Sequence, residues 1–299
     1  MSFALRKAMA PEGLLKEPVR IEGVGLHNGK RSALVVQPNE QGEGLYVVNS
    51  GSTVRIDPYA VSTADRTTSI VKGGEVVAMT VEHLLCALYA LHVRNVTIAF
   101  EKGYETPILD GSALGYMEAI EPMLDVVQRE INQIEVLQTM RQEAPNDPDR
   151  YVELQPSANK VLSIVSTISY QDSPINNQEY AYENRNDGDF RKEIANARTS
   201  FPFTIESEER IMETRKRLKG AVFDGEGKNV NVYASWNQDG TRHENEIARH
   251  KILDFMGDVK VLNVNFSPNV LILLHRTGHA INNALARRIS SALSLHEKS

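Results

Sequence analysis

Cysteine is nearly absent from this sequence, because Cys86 is the single one among 299 residues. One thiol excludes an intrachain disulfide framework and a zinc site built from several cysteines, and it is typical of a reducing compartment. The N-terminal segment lacks the long apolar core of a secretory signal, and the longest aliphatic run, residues 270–274, is too short to span a bilayer. We therefore expect a cytoplasmic protein without a transmembrane segment.

Excess positive charge is absent as well. The 33 Lys and Arg residues are outnumbered by 39 Asp and Glu residues, so the formal net charge is -6. This balance argues against a broadly basic nucleic-acid surface, but it leaves room for a local basic groove that binds a phosphorylated substrate. The content of hydrophobic residues, 41%, is that of an ordinary globular protein.

The apolar periodicity predicts strands and helices that do not alternate strictly. Helices are expected over residues 81–91, 114–127, 206–219, 244–256 and 280–295, and strands over residues 20–21, 32–37, 44–48, 95–100, 133–143, 151–154, 161–170 and 270–275. A polar region at 128–133 is the predicted boundary between domains 1–129 and 130–299. The sequence therefore predicts an α+β protein of two domains, each a sheet layered with helices.

Two histidine segments together predict a metal site. Thr80 is the predicted N-cap ahead of Glu82 and His83, and the positive end of that helix favours the neutral imidazole that a metal ligand requires. His250 and Asp254 are four residues apart and project from one face of another helix. With His83 they would leave a fourth tetrahedral position open, as in catalytic zinc sites. On its own, however, this spacing is more often that of a surface ion pair.

Further polar residues accompany these candidates. Lys251 and Asp258 fall on the same side of the second helix as His250. His279 lies where the strand at 270–275 turns into the last helix, and it is a candidate proton donor to a leaving amine. A histidine at a helix start is also compatible with a packing role, so this segment is a weak signal by itself.

Six segments occur in a characteristic order. They are Gly23-Val24-Gly25-Leu26-His27-Asn28-Gly29-Lys30, which is predicted to be a hairpin turn, then Thr80-Val81-Glu82-His83-Leu84, Pro107-Ile108-Leu109-Asp110-Gly111-Ser112-Ala113, Phe190-Arg191-Lys192-Glu193-Ile194 with Ala197-Arg198-Thr199, Arg249-His250-Lys251-Ile252-Leu253-Asp254 with Gly257-Asp258, and Gly278-His279-Ala280-Ile281-Asn282-Asn283. Over nearly the whole chain this set resembles the UDP-3-O-acyl-N-acetylglucosamine deacetylases, the LpxC family.

The resemblance implies two α+β domains of similar fold with the active site between them. It implies a metal ion, Zn²⁺ with Fe²⁺ as the alternative, held by His83, His250 and Asp254. The resemblance also implies Glu82 as general base, His279 as general acid and Thr199 as oxyanion donor. Lys251 and Asp258 would line the site, and Asp258 would orient His279. The implied substrate contacts are His27, Asp110 and Phe201. The chemistry agrees, because zinc lowers the pKa of its water towards ~7 and a neighbouring carboxylate can take that proton. Lys251 is expected to help keep Glu82 ionised.

Two departures from the family pattern bear on the substrate. Ser200 separates Thr199 from Phe201, which displaces an aromatic contact by one residue. Residues 206–217 are highly charged where the family builds an apolar tunnel for a fatty acyl chain. This segment is either a solvated helix whose apolar residues turn inward, or the sign of a substrate with a short acyl chain or none.

The leading hypothesis is hydrolysis of the N-acetyl group of UDP-3-O-acyl-N-acetylglucosamine, with release of acetate, in lipid A biosynthesis. One alternative is a divergent deacetylase of another N-acetylated sugar nucleotide. The other is a non-catalytic binding descendant of the fold, against which the complete set of metal and acid–base residues argues. The expected partner is the UDP-linked acylated amino sugar; no nucleic acid is expected, and the expected oligomeric state is a monomer.

Overall fold

The computed structural model describes residues 2–64, 66–169, 177–185, 187–199, 203–205, 207–224, 230–234 and 240–294. Ser200 and the predicted substrate contact Phe201 lie outside these ranges. The described residues form an α+β fold of several sheets and a smaller number of helices, as the sequence predicts. Among them, no helix combines the length and the apolar character needed to cross a membrane.

The first half of the chain contains mostly strands. These are β1 Phe3–Leu15, β2 Val19–Val24, β3 Arg31–Pro38, β4 Leu45–Asn49, β5 Ser52–Arg55, β6 Val61–Ser62, β7 Ser69–Lys72, β8 Glu75–Ala78, β9 Val96–Lys102 and β10 Leu124–Val136. Its helices are α1 Glu82–Ala90 and α2 Leu114–Ile120, the latter followed by a 3-10 turn at Glu121–Met123. The predicted hairpin is present, because β2 and β3 pair antiparallel around the loop at 25–30, with Val24 opposite Arg31.

The second half repeats this mixture. Its strands are β11 Met140–Ala144, β12 Asp147–Pro156, β13 Ser163–Ile168, β14 Gln178–Glu183, β15 Phe203–Ile205, β16 Ala221–Asp224, β17 Val230–Ala234, β18 Asn265–Phe266 and β19 Val270–His275. Its helices are α3 Asp187–Phe190, which continues into a π turn at Arg191–Ala195, α4 Glu208–Arg217, α5 Glu246–Val259 with a 3-10 turn at Lys260–Leu262, and α6 His279–Ser294.

The main sheets of the two halves have the same connectivity. One has the strand order β2-β3-β9-β4-β5 and the other β11-β12-β19-β13-β14. In both, the last strand in sequence enters the middle of the sheet, antiparallel to the second strand and parallel to the third. That strand follows one helix, α1 or α5, and precedes another, α2 or α6. The fold therefore consists of two similar α+β units, and α1 and α5 are equivalent elements.

A three-stranded sheet occupies the same topological position in each half, between the fourth strand of the main sheet and the helix before its last strand. These sheets are β6-β7-β8 and β15-β17-β16. In the second half the insertion includes the charged helix α4, whose Glu208, Glu209 and Arg210 are exposed. Ile211 of α4 is buried, and Leu218, which follows the helix, packs against Leu26 and Ile108. Both apolar side chains therefore face the protein interior. Ile211 and Leu218 agree with the solvated-helix alternative, whereas Met212 of the same helix is exposed.

The helix predicted over residues 114–127 is wrong beyond Ile120. Pro122 lacks the N–H that a helix interior needs, and it lies in the 3-10 turn that ends the helical segment. Residues 124–127 begin strand β10 instead, where the β-branched Val126 and Val127 fit an extended backbone. They pair with β1, a strand that the sequence patterns had not indicated.

Strands β1 and β10 form a long antiparallel ladder from Phe3–Val136 to Leu15–Leu124. The boundary predicted between residues 129 and 130 lies inside β10, so the chain passes from one half to the other within a continuous strand. The division of the chain at that point stays a prediction.

Helices α1 and α5 pack against each other in the main hydrophobic core. Leu84, Leu85 and Leu88 of α1 have no exposed surface, which is typical of a helix surrounded by protein on all sides. Gly257 of α5 allows the closest approach, because a Cβ atom there would lie 2.0 Å from the main-chain oxygen of Glu82. The two helices that carry the predicted metal ligands are therefore in direct contact.

Candidate metal and catalytic site

The contact between α1 and α5 brings His83, His250 and Asp254 together. One ligand atom from each of these residues lies within 4.8 Å of the others. His250 Nε2 is 3.1 Å from Asp254 Oδ1, and His83 Nε2 is 3.9 Å from the same oxygen. All three side chains are buried. Residues from the two halves of the chain thus form one compact set of nitrogen and oxygen donors.

The protonation states of these groups fit a divalent metal ion. Burial, aided by the neighbouring His250, lowers the pKa of His83 to about 3, so its imidazole is neutral at physiological pH. Burial opposes ionisation of Asp254, but His250 and Lys251 hold the pKa of this carboxyl well below its usual range. Two imidazoles and a carboxylate form a donor set that zinc accepts in catalytic sites.

Neighbouring groups orient these candidate ligands. His250 Nδ1 lies 3.0 Å from the carbonyl oxygen of Ala197, which directs Nε2 towards Asp254. Such a contact selects the ring tautomer that leaves the other nitrogen available to a metal. Lys251 is half-buried and donates to Asp254 Oδ2 at 2.7 Å.

Thr80 does not have the predicted N-cap role. Helix α1 begins at Glu82 with Val81 at the N-cap position, and Thr80 adopts a left-handed conformation with φ 58°. In this conformation its hydroxyl donates to Glu105 Oε1 at 3.3 Å. The same buried carboxylate accepts the main-chain N–H groups of His27 at 2.7 Å and Asn28 at 2.8 Å. Glu105 therefore connects the hairpin loop that contains His27 to the start of α1.

Glu82 lies beside the candidate metal ligands and is buried. Its carboxylate accepts hydrogen bonds from the Thr67 hydroxyl at 2.8 Å and from the Thr68 main-chain N–H at 3.0 Å. Burial, together with the negative charges of Asp258 and Asp254, raises the pKa of Glu82 to about 7, although His279 opposes this rise. A carboxylate with a pKa near neutrality is suited to general-base chemistry.

His279, at the start of α6, faces both Glu82 and Asp258. Its Nδ1 is 2.9 Å from Asp258 Oδ2, and its Nε2 is 3.7 Å from Glu82 Oε1. Burial lowers the pKa of His279, but Asp258 and Glu82 outweigh this effect and raise it to about 10. Asn282 donates to Asp258 at 2.8 Å, and Thr68 donates to it through its hydroxyl. The imidazolium is thus held in one orientation with a proton on Nε2.

Of the remaining predicted residues, His27, Asp110 and Thr199 lie in loops, and Phe201 is outside the described part of the chain. The main-chain N–H of Thr199 donates to Gly111 O at 2.6 Å. Asp110 accepts from the Ser112 hydroxyl at 2.7 Å, and its other oxygen is paired with Arg242 at 2.8 Å. These hydrogen bonds and this ion pair outweigh the effect of burial and lower the pKa of Asp110. Asp110 therefore supports the turn that receives Thr199.

Several residues of the site were not predicted from the sequence. They are Thr67 and Thr68, which hold Glu82 and Asp258, Glu105, which holds the His27 loop, and Glu246, which binds Arg198. Threonine pairs and single glutamates are common in any globular sequence, so their spacing carries no signal. Asn282 belongs to a motif noted in the sequence, but its contact with Asp258 depends on the packing of α6 against α5.

Comparison with known proteins gives a consistent result over the length of the chain. The family model for LpxC, described as UDP-3-O-acyl N-acetylglycosamine deacetylase, matches residues 13–291. A UDP-3-O-acyl-N-acetylglucosamine deacetylase of Myxococcus xanthus is 31% identical, with 98% of this chain and 90% of the relative covered. Proteins of the same name from Sulfurimonas denitrificans and Aquifex aeolicus are 32% and 30% identical, covering 85% and 96% of this chain and 84% and 95% of those relatives.

Proposed function

Since this chain belongs to the LpxC family, we propose that it hydrolyses the N-acetyl group of UDP-3-O-acyl-N-acetylglucosamine and releases acetate, in lipid A biosynthesis. One observation carries the proposal. A buried donor set of His83, His250 and Asp254 lies beside an acid–base pair, Glu82 and His279, in the same cluster. Hydrolysis of an amide needs these two capabilities together, because the carbonyl must be polarised and the leaving nitrogen must be protonated.

Zinc is the proposed ion, with iron(II) as the alternative, and His83, His250 and Asp254 are its proposed ligands. The support is the neutral state of His83, the ionised state of Asp254 and the short distances among the three. A divalent ion bound there would polarise the acetamide carbonyl and lower the pKa of a water molecule.

Glu82 is the proposed general base. Its carboxylate takes a proton from the attacking water, and the Thr67 and Thr68 hydrogen bonds hold it in position to do so. Lys251 donates to Asp254 and adds positive charge to the site, and the group that opposes the rise in the pKa of Glu82 is His279.

His279 is the proposed general acid. The amide nitrogen leaves only if it is protonated, and the Nε2 proton of the imidazolium is the one available on the Glu82 side of the ring. Asp258 keeps that ring charged and oriented through Nδ1. The proposed role of the Thr199 hydroxyl is a hydrogen bond to the oxyanion that forms on the carbonyl oxygen, since such donors stabilise the transition state.

The proposed substrate contacts are His27, Asp110 and Phe201. Support for the first two is their position in loops that are tied to the site, through Glu105 and through the Gly111–Thr199 hydrogen bond respectively. We further propose that the protein is a monomer and that it is cytoplasmic; the single cysteine, Cys86, is buried and free, which is typical of a reducing compartment.

The test is acetate release from UDP-3-O-acyl-N-acetylglucosamine by the purified, zinc-loaded protein. Glu82→Ala and His279→Ala should each reduce kcat by about 10²–10⁴-fold, because each removes one proton transfer. Glu22→Ala is the matched control, since Glu22 is exposed and pairs with Arg20 on the β2–β3–β9 surface. Full activity in both site variants would contradict the proposed roles.

A second candidate is a deacetylase of a short-acyl or unacylated N-acetylated sugar nucleotide. The charge of α4 motivates it, because the exposed Glu208, Glu209 and Arg210 provide no apolar lining for an acyl chain. Rates on acylated and unacylated UDP-N-acetylglucosamine separate the two candidates. A strong requirement for the acyl chain would exclude the second.

A further inference from the structure

Outside the candidate ligands and the acid–base pair, one buried ion pair lies against the site. Arg198 and Glu246 are 7% and 1% exposed. The guanidinium donates from Nε to Glu246 Oε1 at 2.8 Å and from one terminal nitrogen to Oε2 at 3.1 Å, which is the bidentate geometry of strong arginine–carboxylate pairs. The main-chain N–H of Arg198 also donates to Oε1, at 2.9 Å. Glu246 thus binds both the backbone and the side chain of Arg198.

Both chain neighbours of Arg198 contact the site. The carbonyl oxygen of Ala197 is 3.0 Å from His250 Nδ1, so it orients a candidate metal ligand. Thr199 is the proposed oxyanion donor, and its N–H bonds to Gly111. Glu246 is the first residue of α5, one helical turn before His250. Its carboxylate therefore joins the 197–199 segment to the helix that carries two of the candidate ligands.

Arg242 extends these contacts to the turn that receives Thr199. Its main-chain N–H donates to Glu246 Oε2 at 2.6 Å, and its guanidinium pairs with Asp110 at 2.8 Å. Gly111 follows Asp110 in the chain and accepts the N–H of Thr199. The contacts therefore form a closed ring, which runs from Glu246 to Arg198 and Thr199, on to Gly111 and Asp110, and back through Arg242 to Glu246. Arg198 and Thr199 are both held within this ring.

We propose that Glu246 is a positioning residue of the deacetylase site. This role rests on the proposed function. By fixing the main chain at Arg198, the Glu246 carboxylate sets the position of the Thr199 hydroxyl and the orientation of His250. The physical reason is that a buried guanidinium without its carboxylate is costly, so the segment moves when the charge of Glu246 is removed. A displacement of about 1 Å at a reacting group is enough to cost ~10²-fold in rate.

The test is Glu246→Gln in the full chain, which keeps the size of the side chain and removes its charge. We expect kcat to fall by about 10–100-fold, the range typical of residues that orient metal ligands, with KM changed less than kcat because Asp110 keeps its own ion pair with Arg242. Co²⁺ titration should show weaker binding and an altered visible absorption spectrum, because the orientation of His250 changes. Glu183→Gln is the matched control, since Glu183 pairs with Arg185 on an exposed edge, and it should leave all of these unchanged.

An unchanged kcat together with an unchanged Co²⁺ spectrum in Glu246→Gln would overturn the inference. A fall in kcat that only follows the folded fraction, measured by circular dichroism, would overturn it as well. If Glu246→Gln fails to fold, Arg198→Lys serves instead, because lysine keeps the charge but not the bidentate geometry, and the same expectations apply. Should the wild-type protein bind Co²⁺ without releasing acetate, the proposed function fails, whereas the Co²⁺ spectra still decide the role of Glu246.

Discussion

Replacing Asp258 with asparagine should lower the pKa of His279 and shift the alkaline limb of the pH–rate profile. In the wild-type protein, burial lowers this pKa, but contact with Asp258 at 2.9 Å and the nearby Glu82 at 3.7 Å raise it to about 10, from the ordinary 6.5. A general acid must be protonated to act. Activity that depends on His279 should therefore fall as the pH rises through the pKa of this ring, which a cation bound nearby lowers from about 10.

The size of the shift follows from the contact that is lost. An opposite charge within hydrogen-bonding distance changes a pKa by about 1–3, and asparagine keeps the shape of Asp258 without its charge. Burial of His279 still disfavours the imidazolium in the variant. We therefore expect the alkaline limb of Asp258→Asn about 1–3 pH units below that of the wild-type protein.

The assay is kcat/KM for acetate release across the pH range, because this parameter reports the groups of the free enzyme. An NMR titration of the His279 ring in the metal-free protein follows the same group without turnover, and there its pKa should be about 10. Asp57→Asn is the matched control: Asp57 is also a half-buried aspartate, but it lies outside the site and accepts the main-chain N–H groups of Tyr59 and Ala60. An alkaline limb that stays at the wild-type position in Asp258→Asn would refute the assignment of His279 as the acid held by Asp258.

Three further outcomes follow from the structure. His83→Ala, His250→Ala and Asp254→Ala should each abolish stoichiometric zinc in elemental analysis, whereas His275→Ala, at a strand end, should retain it. Gly257→Ala should separate α5 from α1, because its Cβ would overlap the Glu82 carbonyl, and so lower both the zinc affinity and kcat; an unaffected enzyme would contradict the close helix contact. Phe255→Ala, which removes a fully buried ring packed on Phe266, should lower the free energy of unfolding by about 3–5 kcal/mol in urea titrations, and a loss below about 1 kcal/mol would be inconsistent with its burial.

Features that depend only on residues close together in the chain were predictable from the sequence. The spacing of His250 and Asp254 placed both on one face of a helix, because the helical repeat is local. Strand β19 has the predicted bounds, because its run of aliphatic residues is typical of a buried strand and β19 lies in the middle of a sheet. The order of the six segments indicated the family, and the comparisons confirm it.

Local patterns failed where a distant partner decided the conformation. Residues 124–127 have the apolar spacing of a helix, but pairing with β1 makes them a strand. Thr80 has the chemistry of an N-cap, yet its left-handed backbone turns the hydroxyl towards Glu105. In both places the free energy of a long-range contact outweighs the local preference.

The sequence by itself determined which residues are the candidates for the chemistry: a set of possible metal ligands and acid–base side chains, several of them on helices whose periodicity can be read directly. Only the tertiary structure decided that α1 and α5 touch at Gly257, that Thr67 and Thr68 hold Glu82, and that Glu246 ties the 197–199 segment to α5. The reason is physical. Side-chain identity and helical spacing are properties of short segments, whereas the burial that raises the pKa of Glu82 arises only when distant parts of the chain exclude water together.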